Sequence, residues 1–550
     1  MTLTPVHPSG RAALTAPAPA RPRPPDPGVR RGTAPPAAGR SSGWTRRPVA
    51  QTLLLLALAL AVRAPSFRRP FWSPDEGYLG TEAVALRHGG RMYADVVDRK
   101  PPLVPWLYEA CFALTGPGTL WLVRVCAVVA LAVTAVCVAR LAAGEWGPWA
   151  GLPAGVLTIA ASAALPPPDA MAATFEVFML PATAAAVYFA ARHRFLAAGL
   201  ALAAATLTKQ VGLAPLLPIA VQVLTAPRRR LRYGAALAAG LALPIAGCAL
   251  LLGVHSFVFW NYLSSGSYAS SAPGVAAVCG HAGSALGRLA LPFAGVAPFL
   301  PRLRGRRHRI GAFDRTLLLW LLASAAGVSA GFRFYGHYFL QLLPPLALLA
   351  LRALHAAFGH AGRGAVRPAR RWTPYRTPYP ARGRAPARRG ADARGRATAL
   401  ACAVAVAVCA AFGAGALRAR PPELGRSLDL AAAVDADSRP GQSVFLWSMH
   451  PEVYWLADRP AASRYLTAGL LTNFSGGADV RRVGARYAVP GAWAGLRREL
   501  AAAPPCLVVD DSAGTPYQMA GYPLLAHLVD RGYTRVARVD GAPVYRRSGC

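Results

Sequence analysis

Long blocks of apolar residues alternate with short polar connections along most of this chain. A helix needs about 20 predominantly apolar residues to cross the hydrocarbon core of a bilayer, and several blocks approach that length. The fifth and sixth blocks are short, and they form either two spans or one bent helix. The pattern therefore predicts an α-helical polytopic membrane protein with about eleven transmembrane helices. The predicted segments are 49–66, 119–141, 147–165, 171–190, 195–208, 211–226, 233–253, 285–301, 315–331, 338–357 and 397–417.

The pattern changes after about residue 418, where acidic residues become frequent and the apolar runs become short. Runs typical of β-strands alternate there with stretches of helical periodicity. This alternation predicts a small α/β domain outside the membrane, over residues 418–550. The predicted strands are 443–447, 506–510 and two within 535–547, and the predicted helices are 427–436, 451–457, 491–503 and 522–531.

Residues 1–48 are rich in Pro, Ala and Arg and contain one acidic residue, Asp26. This composition predicts a disordered, basic tail. The first apolar run begins near Val49, which is too late for a secretory signal peptide. We therefore divide the chain into three parts. They are the tail at 1–48, a membrane domain at 49–417 with a first outer loop at 67–118 and a basic loop at 358–396, and the α/β domain at 418–550.

Runs of Arg in the connections predict the orientation of the chain. With eleven spans they all fall on one side of the membrane, together with the basic N-terminal tail. Because cytoplasmic loops carry an excess of Arg and Lys, this side is predicted to be cytoplasmic. The first outer loop and the C-terminal α/β domain are then extracytoplasmic. The runs are 192–194, 228–230, 302–309 and 363–396.

The composition agrees with a membrane protein and excludes two other classes. Of the 550 residues 54% are hydrophobic and 15% are charged, which is too apolar for a single soluble domain. The net charge of +36 would suit nucleic-acid binding, but the Arg runs flank apolar blocks, so we expect the bilayer and no nucleic acid as a partner. The nine Cys suggest no disulfide scaffold, and their spacing suggests no metal site.

An acidic pair, Asp75-Glu76, follows Pro74 in the first outer loop and precedes a helical pattern over 78–87. Carboxylates are favourable at a helix N-terminus, so capping is one explanation for the pair. Capping explains one carboxylate well and two adjacent ones less well. Charge beside a membrane domain is costly unless it has a function, and a carboxylate next to a reacting centre can accept a proton from a hydroxyl. We therefore expect Asp75 and Glu76 to be catalytic.

Two cations, Arg99 and Lys100, precede the stiff Pro101-Pro102 pair at the start of a second helical pattern, 103–115. A snorkelling Lys at the membrane boundary is one explanation. Cations held at a Pro-stiffened turn can also bind a phosphate leaving group, and the acidic pair upstream favours this second explanation. Tyr93 and Asp98 of the same loop are further candidates for substrate binding.

A polar cluster also interrupts the apolar pattern at the outer end of the ninth segment. An aromatic belt at the membrane surface explains its Phe and Tyr residues, but it explains Arg333 and His337 poorly. We expect these two to bind the donor phosphate, and Tyr335 to bind substrate. Lys209 interrupts another apolar block, and an ammonium at that depth usually pairs or contacts a ligand. Asp169 and Glu176 are its candidate partners and further candidates for substrate binding.

The motifs of the first outer loop resemble those of polytopic GT-C glycosyltransferases of the protein O-mannosyltransferase and aminoarabinose transferase superfamily. The resemblance lies in PDEGYLGTEAVALRHGG (74–90), MYADVVDRKPPLVPWL (92–107) and a late stretch, FRFYGHYFLQLLPPLA (332–347). It implies a GT-C-like fold and transfer of a sugar from a polyprenyl-phosphate donor to an extracytoplasmic acceptor. It also implies that Asp75 is the catalytic carboxylate, with Glu76 beside it, and that Lys100 contacts the donor phosphate. The resemblance covers about 70–417 and leaves the C-terminal domain without a motif.

The expected reaction is a single inverting displacement, with a cell-envelope glycan, lipid or protein as the acceptor. No Gly-rich loop lies between a strand and a helix, so we expect no nucleotide-sugar site. No cofactor is predicted with certainty, and a divalent metal stays an alternative. A transporter or flippase of lipid-linked sugars is the main alternative function, although the chain shows no repeated halves. A non-catalytic membrane scaffold would leave the charged loop unexplained.

Overall fold

The computed structural model describes residues 42–226, 228–264, 274–304, 310–358, 388–476 and 482–550. Residues 1–41 of the predicted basic tail, 305–309 of the 302–309 run and 359–387 of the 358–396 loop lie outside these ranges. Residues 42–48, which were predicted to belong to the disordered tail, form the start of a helix. Residues Val49–Cys550 form one compact unit, which contains both the apolar helices and the C-terminal sheet.

Apolar helices make up most of the region up to residue 418. Every one of the eleven predicted segments coincides with helical structure. Seven helices are long and apolar enough to cross a membrane among the described residues, and four shorter apolar helices accompany them. The α-helices are Ser42–Arg63, Pro74–Arg87, Leu103–Thr115, Trp121–Trp146, Gly151–Ser162, Pro167–Met171, Phe175–Ala191, Phe195–Thr208, Leu216–Leu224, Arg230–Leu252, Val254–Val258, Val275–Ala290, Ala312–Ser329, Leu343–Phe358 and Arg388–Arg418. Shorter 3₁₀ and π segments are Ala64–Arg68, Pro148–Ala150, Gln210–Leu213, Phe259–Leu263, Leu291–Arg304 and Gly336–Leu342.

The membrane helices differ in how far other helices cover them. Both Trp121–Trp146 and Arg230–Leu252 are strongly apolar, but most of the first is buried, whereas most of the second is exposed on the surface of the bundle. A helix that is apolar on every side lies either in a protein core or against lipid. The first is therefore central in the bundle, and the second faces the bilayer on most of its surface.

Glycines bring the helices Phe195–Thr208 and Arg230–Leu252 into backbone contact. A Cβ on Gly199 would lie 2.4 Å from the carbonyl oxygen of Leu237, and a Cβ on Gly240 would lie 2.4 Å from that of Leu196. Without a hydrophobic driving force inside a bilayer, helices associate by such close packing of small residues.

The C-terminal region contains the predicted α/β structure. Strands β1 (Val444–Trp447), β2 (Leu507–Asp510), β3 (Tyr533–Val539) and β4 (Ala542–Arg547) form one sheet in the order β1-β2-β4-β3. β1 and β2 are parallel, with Val444 opposite Leu507, and the other pairs are antiparallel. The helices of this region are Leu424–Asp437, Glu452–Leu456, Ala468–Thr472, Ala492–Ala502 and Pro523–Asp530, with 3₁₀ turns at Ala485–Tyr487 and Met519–Gly521.

A disulfide joins Cys506, at the start of β2, to the C-terminal residue Cys550. The sequence prediction did not anticipate this bond. Both cysteines lie in the predicted α/β domain, whereas the other seven precede residue 418, so their position was a usable signal.

The first outer loop packs directly on the C-terminal region. A Cβ on Gly77 would lie 2.3 Å from the Cβ of Glu452, and one on Gly80 would lie 3.0 Å from the ring of Trp455. Thr81 Oγ1 donates a hydrogen bond of 2.7 Å to the carbonyl of Pro451. The Pro74–Arg87 helix therefore lies on the same side of the bundle as the sheet, as the predicted topology requires.

Candidate active site

A cavity of about 1020 Å³ lies between the first outer loop, the ends of several membrane helices and the C-terminal region. Such a cavity, with mostly apolar lining and a few converging polar groups, is the usual form of a binding site. Eight of the twelve predicted site residues line it: Asp75, Asp98, Arg99, Lys100, Asp169, Lys209, Tyr335 and His337. The remaining four are Glu76, Tyr93, Glu176 and Arg333.

Asp75 lies in the first turn of the Pro74–Arg87 helix, but it does not cap the helix. The cap is Ser73, whose Oγ accepts a hydrogen bond of 3.2 Å from the backbone N–H of Asp75. The Asp75 carboxylate is therefore available to the cavity, and 36% of its side chain is exposed. Its Oδ1 lies 3.4 Å from Nζ of Lys100, and its Oδ2 lies 4.0 Å from Nε2 of His337.

The neighbouring cations keep this carboxylate ionised. Burial alone would raise the pKa of Asp75, but the charge of Lys100, followed by His337 and Lys209, outweighs burial and lowers the pKa below its usual value. Asp75 is thus a charged acceptor at neutral pH, as a group that orients or deprotonates a hydroxyl must be.

Lys100 is held between the carboxylate and an aromatic ring. Its Nζ lies 4.4 Å from the centre of the Phe175 ring, a favourable position for a cation. With 29% of its side chain exposed, it lines the cavity and is not fully extended into solvent. This position places an ammonium next to Asp75.

Asp169 orients His337. Its Oδ1 accepts from the backbone N–H of His337 at 2.9 Å and lies 2.6 Å from the ring Nδ1. Gly336 permits this contact, because a Cβ there would lie 2.4 Å from Oδ2 of Asp169. With Nδ1 bound in this way, Nε2 of His337 is directed toward the carboxylates of Asp75, at 4.0 Å, and Glu176, at 3.9 Å.

Lys209 forms an ion pair with Glu176, one of its two predicted partners. The Glu176 side chain is only 1% exposed, so it contacts Lys209 and does not line the cavity. Nζ of Lys209 also lies 4.2 Å from the centre of the Tyr338 ring. The next residue, Gln210, donates to the carbonyl of Arg99 at 2.8 Å, which ties this segment to the first outer loop.

Three predicted site residues support the cavity from behind. Glu76 is fully buried and accepts from the backbone N–H groups of Trp72 and Ala173, at 2.6 and 2.8 Å. Arg333 is also fully buried and donates to Oγ of Ser475. Tyr93 is buried and donates to the carbonyl of Lys100 at 2.8 Å. This geometry gives them structural contacts and does not place them where a substrate would bind.

A buried carboxyl group, that of Glu82, was not among the predicted site residues. Neither of its oxygens has a hydrogen-bond partner among the described residues. Burial, reinforced by the charge of nearby Asp98, raises the pKa of Glu82 well above its usual value. Burial also raises the pKa of Asp98, although Lys100 and the N–H of Arg99 oppose it. The surroundings of Glu82 therefore favour its protonated form, because an isolated buried charge would be very costly.

The C-terminal region also contributes to the cavity, although none of its sequence motifs indicated this. Its lining residues include Glu423, Met449, His450, Phe474 and Tyr517. Within the described ranges, no group of three or more His, Cys, Asp or Glu side chains has the arrangement of a metal site.

The arrangement of apolar helices, an acidic outer loop and a small outer α/β region defines a GT-C-like membrane fold. Residues 99–252 match the family model "Dolichyl-phosphate-mannose-protein mannosyltransferase". No curated protein matches this chain.

Solved structures share this fold. ArnT from Cupriavidus metallidurans bound to undecaprenyl phosphate matches with a TM-score of 0.55 at 17% identity, over 92% of this chain and 98% of that one. The apo state of the same protein matches with a TM-score of 0.52, at the same identity and coverage. A weaker match, with a TM-score of 0.44 at 12% identity, is the Archaeoglobus fulgidus oligosaccharyltransferase, over 90% of this chain and 73% of that one.

These matches confirm two predictions. The match to the family model agrees with the predicted class, a glycosyltransferase of GT-C type, and the structural matches confirm the GT-C-like fold. The chain is a multi-pass membrane protein.

Proposed function

We propose that this protein transfers a sugar from a polyprenyl-phosphate donor to an extracytoplasmic acceptor. The observation that supports this most directly is the group formed by Asp75, Lys100 and His337, at which an ionised carboxylate lies 3.4 Å from an ammonium in one cavity. A transfer from a phosphate ester needs both: an acceptor for the hydroxyl proton and a cation for the departing phosphate.

In the proposed reaction Asp75 accepts a hydrogen bond, and then the proton, from the attacking hydroxyl. The hydroxyl oxygen forms a bond with the anomeric carbon while the bond from that carbon to the phosphate oxygen breaks. The electron pair of this bond stays on the polyprenyl phosphate, whose charge Lys100 stabilises. One displacement of this kind inverts the anomeric configuration.

His337 and Arg99 are the proposed additional contacts of the phosphate, and both line the cavity. His337 suits this role because Asp169 fixes its ring. Arg333 and Glu76 are buried outside the cavity lining, so the proposal assigns the phosphate contacts and the proton acceptor to residues that line it. Tyr335, Asp98 and Lys209 stay candidates for binding the sugar.

A lipid-linked donor suits a cavity at the membrane boundary, because the polyprenyl chain stays in the bilayer while the phosphate reaches the polar groups. The ArnT structure that shares the fold was solved with undecaprenyl phosphate bound. This supports, for the present chain, a donor of the same chemical class.

We also propose that the C-terminal domain and the first outer loop are extracytoplasmic and the N-terminus is cytoplasmic. The Arg runs support this orientation. The Cys506–Cys550 disulfide supports it independently, because disulfides persist in oxidising compartments and are rare in the cytosol.

The test uses the full chain in proteoliposomes that contain a radiolabelled polyprenyl-phosphate sugar. The proposal predicts that label moves to a water-soluble or lipid acceptor from the same envelope, with release of polyprenyl phosphate. Movement of the labelled lipid between leaflets without transfer would support a flippase and contradict the proposal.

A further inference from the structure

The C-terminal region forms its own side of the cavity, and it differs chemically from the rest of the lining. The first outer loop and the membrane helices contribute the cations Arg99, Lys100 and Lys209. The C-terminal region contributes an imidazole, a carboxylate and two aromatic rings: His450, Glu423, Phe474 and Tyr517. We name these four residues the outer subsite.

The imidazole of His450 is fixed in one orientation. Its Nδ1 lies 3.0 Å from Oε1 of Glu452, which is fully buried and also accepts from Oγ of Ser427 at 2.6 Å. The carboxylate of Glu423 lies 3.8 Å from the same Nδ1. Because Nδ1 is engaged, Nε2 is the atom available to a ligand, and it makes no hydrogen bond with any residue that the structure describes.

The charges around His450 favour its protonated form. Burial alone would lower the pKa of His450, but the hydrogen bond to Glu452 and the charges of Glu423 and Asp511 raise it above its usual value. Asp511 is itself paired with Arg426. The outer subsite thus offers a hydrogen-bond donor at Nε2 of His450 and an acceptor at Glu423, whose side chain is 46% exposed.

Two aromatic rings line the same cavity as these polar groups. The rings of Phe474 and Tyr517 are 4.8 Å apart between centroids. A cavity that combines aromatic rings with a donor and an acceptor suits a sugar, which has an apolar face of C–H groups and a rim of hydroxyls.

The charge balance argues against an anionic ligand at this position. Three carboxylates, Glu423, Glu452 and Asp511, lie near His450, and they outnumber the two cations of the group, which are His450 itself and Arg426, the partner of Asp511. A phosphate or carboxylate would be repelled here and would be attracted to the cations of the other side. A neutral, hydroxyl-rich group would be neither repelled by these carboxylates nor drawn to the cations on the other side.

We infer that the outer subsite binds the acceptor and selects a neutral carbohydrate over an anionic one. This inference rests on the proposed sugar transfer and specifies its acceptor. The close packing of Gly77 on Glu452 and the hydrogen bond from Thr81 to Pro451 fix the segment of His450 against the helix of Asp75. An acceptor held by His450 would therefore have a constant position relative to the catalytic carboxylate.

The test compares the wild type with His450→Gln, Glu423→Gln and Phe474→Ala, each as the full chain in proteoliposomes. The acceptors are neutral disaccharides and the corresponding disaccharides in which one hydroxymethyl group is oxidised to a carboxylate. Because a charge-assisted hydrogen bond is worth more than a neutral one, we expect the acceptor KM to rise about tenfold or more in His450→Gln, whereas the donor KM should change much less. His527→Gln, which removes an exposed histidine of the same region, is the matched control.

A second measurement does not depend on catalysis. Titration of the neutral disaccharides into the wild type should quench tryptophan fluorescence saturably, and the quenching should weaken in Glu423→Gln, which has an exposed side chain and is expected to fold. Tighter binding of the carboxylated sugars, or unchanged acceptor KM and binding in all three folded variants, would overturn the outer subsite. Saturable, variant-sensitive binding without any transfer by the wild type would instead leave the subsite in place and reject the proposed reaction.

Discussion

Replacement of Lys100 tests the assignment of the donor phosphate. In Lys100→Ala the cavity loses the ammonium that lies 3.4 Å from Asp75 and 4.4 Å from the Phe175 ring centre. A hydrogen bond to a charged group contributes about 1.5–3 kcal/mol. Since 1.4 kcal/mol is tenfold in an equilibrium constant, donor affinity should fall by roughly ten- to a hundredfold.

The same variant should change the pH profile. Lys100 is the first of the cations that lower the pKa of Asp75, so its removal moves that pKa upward. The acidic limb of the rate profile reports protonation of Asp75, and it should shift to higher pH. Lys100→Arg keeps the charge but replaces a compact ammonium by a wide planar group. It should therefore lose much of the activity, although the loss should be smaller than in Lys100→Ala.

The assay measures donor binding and transfer in proteoliposomes over a range of pH, with folding followed by thermal unfolding. Arg91→Ala is the matched control, because Arg91 lies in the same loop with 78% of its side chain exposed. Unchanged donor affinity in a folded Lys100→Ala variant would refute the phosphate contact and leave a snorkelling Lys as the explanation.

Three further predictions concern topology and the buried carboxyl groups. Reporter fusions after residues 230, 307 and 380 should report the cytoplasm and those after 90, 270 and 450 the outside; a cytoplasmic report at 450 would contradict the orientation. Because the pKa of Glu82 is raised in the folded state, the stability of the wild type should fall as the pH rises above the ordinary Glu pKa of about 4.5. The thermal midpoint of Glu82→Gln should depend less on pH. Equal pH dependence of the midpoint in both proteins would show that Glu82 is not protonated in the folded state. Glu76→Gln leaves one of two buried N–H groups without its acceptor, so it should lower the free energy of unfolding by about 1–3 kcal/mol. Activity per folded molecule should change little. A large loss of activity with unchanged stability would instead support a catalytic role for Glu76.

Much of the fold follows from local sequence patterns. The lengths of the apolar segments predicted the membrane helices, because a bilayer imposes one length scale on them. The four strands were also predicted within a few residues, since short apolar runs between polar turns are characteristic of them. The disulfide between Cys506 and Cys550 was not predicted, because the two cysteines are 44 residues apart and form no spacing motif.

The candidate site was predicted only in part, for geometric reasons. Asp75 and Glu76 are adjacent in a helix, so their side chains leave the axis about 100° apart and only one of them reaches the cavity. The burial of Arg333 was not predicted either, because the sequence does not show which side of a loop faces the protein interior. His450 could not be found, since only tertiary packing brings its segment to the Asp75 helix; Thr81 and Pro451 are in contact across 370 residues of sequence.

The most direct test of the proposed reaction is transfer by Asp75→Asn. Ser73 caps the helix, so the Asn variant should fold and insert as the wild type does, with donor affinity changed only moderately. Loss of a positioned base should reduce transfer by roughly a hundred- to ten-thousandfold. Transfer from a polyprenyl-phosphate sugar should be measured in proteoliposomes with equal amounts of folded wild type and variant. A large loss of turnover with retained donor binding is the predicted result, and near-wild-type turnover by a stable Asp75→Asn protein would contradict the account.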